Sequence, residues 1–170
     1  MRNMLMIGGF AIAVIIVGIS IFIRGGGGQV ASPSVATEAL PVAVAVPFTE
    51  LARGMQSDVK TRVNYLITSA EGLEKLWEMI DAAGTPPAVD FKKESVIAVF
   101  AGEKPTTGYA IEVVKVEDAI ARTVSITLTK PGGSCVVGQA ITAPYQVITV
   151  PLTTRSFAHE DVSTTTGCLN

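Results

Sequence analysis

A chain of 170 residues with 13 basic and 15 acidic side chains, and a formal charge of −2, has the size of one domain with an appendage. It has no concentrated positive field for neutralising phosphates, so nucleic acid is excluded as an expected partner. The mean hydropathy of +0.45 is high for a soluble domain, and the excess lies at the N-terminus.

Residues 4–23 form an uncharged run of twenty in which sixteen are apolar, broken only by Gly8, Gly9, Gly18 and Ser20. As a helix this run is about 30 Å long, the thickness of a bilayer core, and it predicts a transmembrane anchor over residues 1–24. A cleaved secretory signal is the competing reading. It needs a shorter apolar region followed at once by a small-residue cleavage site, whereas Ala43-Val44-Ala45 comes about twenty residues late. No cysteine follows the run, so lipid attachment of the lipobox kind is not expected. Arg2 and the amino terminus outweigh Arg24, which places the N-terminus in the cytoplasm and the remaining chain outside the cell membrane as a single-pass protein. Residues 25–47, with four glycines, three prolines and one charge (Glu38), read as a flexible linker. Within it the Val/Ala run 42–46 leaves an edge strand open.

The pattern of a folded domain occupies residues 48–170, enough to bury a core. Val63, Tyr65 and Ile67 alternate as in a strand. Thr68-Ser69-Ala70-Glu71 has the form of a capping box, and Leu73, Leu76, Trp77, Ile80 and Ala83 follow at helical spacing until Gly84, Pro86 and Pro87 stop them. Beyond lie β-branched runs at 96–100, 109–113, 124–128 and 145–150, separated by turns at 102–108, 117–121 and 130–134. The expected fold is α+β: about five antiparallel strands, sandwich-like, with one packed amphipathic helix.

Leu76-Trp77, Val89-Asp90-Phe91, the strand 96–100, the turn Lys104-Pro105-Thr106-Thr107-Gly108-Tyr109, Ala143-Pro144-Tyr145 and Val150-Pro151 together resemble the PrcB-like C-terminal domain family over residues 57–151. The turn is the most specific element and the Pro-Tyr strand start the next. That family is named for a surface-anchored subunit of a secreted protease complex. The resemblance implies a non-catalytic module that binds another protein, a secreted or surface protease, and helps to assemble or stabilise the complex. A helical anchor in place of a lipid is a departure from such a subunit. Separately, Pro105-Thr106-Thr107-Gly108-Tyr109 is similar to the loop by which chagasin-type inhibitors occupy the cleft of papain-like proteases. Lys104 replaces the asparagine of that loop, the Arg-Pro-Trp element is missing, and inhibition is the alternative function.

Pro105 restricts φ and Gly108 permits positive φ, so the turn over Lys104, Pro105, Thr106, Thr107, Gly108 and Tyr109 projects in one shape and loses little entropy on binding. The blander reading is that the threonines cap local amides and Tyr109 enters the core. His159, the only histidine, stands beside Glu160 and Asp161 without a second imidazole, so neither a metal site nor a catalytic triad is expected, and no cofactor. Glu112, Glu117 and Asp118 read as a solvated acidic edge. Cys135 and Cys168, placed in an oxidising compartment, are expected to pair and pin the polar tail to the sheet. Two free thiols are the other possibility.

Overall fold

The computed structural model describes residues 41–168. The anchor expected at 1–24 and the first part of the expected linker lie outside them. Among the described residues no helix is long and apolar enough to cross a membrane.

Eight strands and one helix make the α+β domain: β1 (Val44–Ala45), β2 (Thr49–Gly54), β3 (Val63–Ile67), α1 (Ala70–Met79), β4 (Glu94–Phe100), β5 (Ala110–Asp118), β6 (Arg122–Pro131), β7 (Tyr145–Pro151) and β8 (Phe157–Thr166). They form two four-stranded sheets, ordered β1-β5-β6-β8 and β2-β7-β4-β3. The expected count of about five strands is therefore too low, and the expectation of a purely antiparallel arrangement is corrected as well. β8 runs parallel to β6, because the chain crosses to β7 in the opposite sheet before it returns to β8. β2 and β8 are the unforeseen strands. Each is rich in charged or hydroxylated residues, with β8 almost wholly exposed and β2 half-buried only at Leu51, Ala52 and Gly54, so neither shows the apolar alternation by which a strand is read. β1 fills the edge-strand role left open for 42–46, pairing Val44 with Asp118 and Ala45 with Glu117.

β4 and β7 are buried on both faces because each lies between two apolar layers. Val96, Ala98, Phe100, Tyr145 and Val147 meet Leu73, Leu76 and Ile80 of the helical layer. Ile97, Val99, Ile148 and Val150 point the other way, onto Ile111, Val113, Val116, Val124 and Ile126 of the opposite sheet. The order of layers is helix, sheet, sheet. Burying a Leu or Ile side chain contributes about 1.5–3 kcal/mol, and these twin cores hold the sandwich together.

The helix start differs from expectation by one residue. Ser69, in extended conformation, accepts the Gly72 amide at 3.2 Å, while Glu71 turns outward to Lys75 at 2.6 Å. The reciprocal box on Thr68 does not form. The helix also ends earlier than Ala83, at Met79, where Asp81 adopts a positive φ of 46° that breaks the helical path.

Candidate functional site

The turn 104–109 projects from one end of the sandwich between β4 and β5, and the segment 132–142 straps it. Lys104 and Thr142 exchange both backbone hydrogen bonds, at 2.7 and 3.0 Å. The Thr107 amide donates to the Gly138 carbonyl at 3.0 Å, and the Gly138 amide donates to Thr107 Oγ1 at 2.8 Å. The Thr142 hydroxyl donates to the Thr106 carbonyl at 3.0 Å. Gly108 takes φ +87°, and a side chain there would approach Pro131 to 3.1 Å. Pro105 and Gly108 are exposed, whereas Lys104, Thr106, Thr107 and Tyr109 are half-buried.

The blander reading is corrected in part: Thr107 caps the amide of Gly138, 31 positions away, and not a local one, and Tyr109 is half-buried and belongs to neither core cluster. The Thr106 carbonyl and Thr107 hydroxyl are spent inside the domain, which leaves fewer free groups for a cleft-filling loop of the chagasin kind.

Cys135 and Cys168 come together at disulfide distance, their Cα atoms 5.0 Å apart and 33 positions apart in sequence. The Gly132 amide donates to the Thr166 carbonyl at 3.1 Å. A hollow of about 380 Å³ lies among Gly108, Pro131, Val136, Val137 and the two cysteines. Val136 and Ile141 stand exposed on the strap. The turn, the strap and the end of β8 thus form one braced platform. The Pro144-Tyr145 strand start, by contrast, is structural. The Tyr145 ring packs 6.0 Å from Phe100 and so close to Gly54 that a Cβ there would lie 2.6 Å from it. Burial accordingly pushes the Tyr145 hydroxyl above its ordinary pKa.

The acidic residues and the histidine singled out in the sequence lie in separate ion pairs. Glu112 meets Arg53 at 3.0 Å, Glu117 meets Lys115 at 2.9 Å, and Asp118 meets Arg122 at 2.7 Å, so each carboxylate has its own cation. The His159 ring stands 3.3 Å from Asp161, but Arg62 holds that carboxylate in a fork at 2.8 and 2.9 Å. Among the described residues no group of three His, Cys, Asp or Glu could hold a metal ion. Sequence reasoning missed two buried polar centres. Gln146 accepts the Val113 amide at 2.6 Å across the sheets and donates to Glu50. Arg122 grips Asp118 and also donates to the Pro151 carbonyl. The only signal for Gln146 was a polar residue within an otherwise β-branched run.

These features define a two-sheet α+β domain with a braced turn at one end. Residues 95–151, which run through β4, the turn, β5, β6 and β7, match the family model described as PrcB C-terminal, the family that the turn and the Pro-Tyr strand start resemble. The match is narrower than the resemblance over 57–151, leaving out β3 and α1. Comparison with curated proteins and with solved structures returned no match.

Proposed function

We propose that this chain is a non-catalytic protein-binding subunit, anchored in the cell membrane by residues 4–23, whose extracytoplasmic domain assembles or stabilises a secreted or surface protease. The PrcB C-terminal match over residues 95–151 carries the reading, because that family takes its name from a subunit of a protease complex. The braced turn supports it physically. A loop already clamped by five hydrogen bonds to the strap gives up little conformational entropy when a partner covers it.

The test is affinity purification of the full-length chain from detergent-solubilised membranes. A secreted or surface protease should co-purify, and Thr106→Asp should reduce the recovered partner several-fold while the melting temperature stays within a few degrees. Recovery of no protease from the wild-type chain would remove the assembly role.

A further inference from the structure

Resting on the protein-binding reading, we infer that the open side of the sandwich between β3 and β8 is a second contact site. It takes an extended partner segment that pairs with the free edge of β8, inserts one large apolar side chain between the sheets, and carries a basic residue on its outer face.

Three observations carry this. First, the sandwich does not close on that side. Leu66 pairs with Ile97, so its side chain faces the opposite sheet, yet it is 47% exposed. Before it lies a cavity of about 200 Å³ floored by Ile97, Val124, Ile126 and Phe157, with His159 at its rim. Small-molecule sites are usually roughly 300–1,000 Å³. This cavity is of the size for one side chain.

Second, strand edges flank the mouth. Among the described residues β3 and β8 each have a neighbour on one side only. β3 is five residues long, and the Arg62 guanidinium occupies its Val63 carbonyl. β8 is ten residues long, with no Lys, Arg or Pro. Natural edges are protected by such residues, by bulges or by shortness, and the other edges of this domain use two of these devices: β1 has two residues, and β2 is bulged between Glu50 and Ala52. An edge of ten residues with no Pro or Lys, whose inward charge Asp161 is already paired with Arg62, suits an extended peptide beside an apolar cavity, since the backbone ladder supplies affinity and the cavity selects a side chain.

Third, the charges select the segment. Asp161 is committed to Arg62. Glu160 lies opposite Ser125, on the outer face of the sheet, and is exposed and in no ion pair among the described residues. A Lys or Arg on the outer face of an added strand would meet it, whereas a second copy of β8, which has no Lys or Arg, would offer it no such cation.

The test uses the full-length chain in detergent and a fluorescein-labelled, end-blocked peptide, Lys-Thr-Val-Phe-Val-Thr-Lys, with a Gly-centred counterpart. The Phe peptide should bind at least tenfold more tightly than the Gly peptide. A benzophenone at its centre should cross-link to residues 64–66 and 157–159. Leu66→Asp should weaken binding at least tenfold, and so should Leu66→Trp, which fills the cavity without adding charge and keeps the test open if the first variant unfolds. Ile120→Asp, the same change on an exposed residue of the β5–β6 turn, should leave binding unaltered. Equal binding of the two peptides, cross-links confined to other faces, or no binding at millimolar peptide would overturn the site. If the peptide binds as stated while affinity purification recovers no protease, the cleft stands and the assembly role falls. A protease whose capture survives both Leu66 variants leaves the assembly role and removes the cleft as its contact.

Discussion

Gln146, the second residue of β7, is buried with its side chain turned to the opposite sheet. The register of β5 slips between Val113 and Lys115, which frees the Val113 amide from its own ladder, and the Gln146 carbonyl takes that amide. Replacing Gln146 with Leu would leave a buried donor unpaired, at a cost of about 1–3 kcal/mol, measurable by chemical denaturation. Three carboxyls are similarly committed. The hydrogen bond from Arg53 holds Glu50 below its ordinary pKa, and the one from Arg122 does the same for Asp118. Burial pushes Asp161 upward, but the Arg62 fork and His159 outweigh it and the net direction is down. A carboxyl with a depressed folded pKa stabilises the fold above its unfolded value and loses that contribution as pH falls through the folded one. The melting temperature should therefore stay nearly level from pH 7 to about 5.5, then fall as the pH drops past the ordinary values of 4.5 and 3.8. Arg62→Met should make that fall shallower. An equally steep acid limb in the variant would show that the Arg62–Asp161 pair contributes nothing.

At the scale of elements, α1 and β8 depend on different forces. The helix is amphipathic and has a local cap, so Ser69→Ala should cost about 1 kcal/mol, while Thr68→Ala, one residue earlier, should cost little. Denaturation of the two variants distinguishes the caps directly. β8 buries almost nothing of its own and is held by the β6 ladder, the Arg62–Asp161 fork and the Cys135–Cys168 contact. In the chain-entropy model, joining cysteines 33 positions apart stabilises by about 3–4 kcal/mol. Cys168→Ser, or reduction, should lower global stability by that order. Hydrogen exchange should speed up first over residues 162–166, while β4 and β7 keep their protection. Uniform loss across all strands would mean that β8 unfolds only with the core.

For the whole molecule, the uncharged twenty-residue run and the domain that follows separate into two behaviours. Detergent should be required to extract the full-length chain, and its intact mass should retain residues 1–24. A mature form beginning near residue 31 or 46 would show cleavage instead. Limited proteolysis should cut within residues 25–43 and spare the domain from Val44 onward, because β1 is already tied to β5 through Val44 and Ala45 and the Val46 amide donates to the Val116 carbonyl at 2.8 Å.

What the sequence determined by itself was whatever local chemistry and periodicity encode. The helix with Leu73 and Leu76 inward, the β-branched strands from Val63 to Val150, and the turn with Pro105 and Gly108 all follow from spacings within a few residues. The two cysteines were legible as a pair on chemical grounds, and the likeness to the PrcB C-terminal family on the turn and the Pro-Tyr strand start. Only the tertiary structure decided the rest. β8 is a strand because β6 offers a parallel ladder more than 30 positions away, and no alternation in its own polar residues announces that. Thr107 is a brace because the fold brings Gly138 to it. Leu66 is a cleft residue because its inward face meets a gap between two sheet edges. In each case the deciding contact lies far along the chain, where periodicity carries no information and closure of the two sheets sets the outcome.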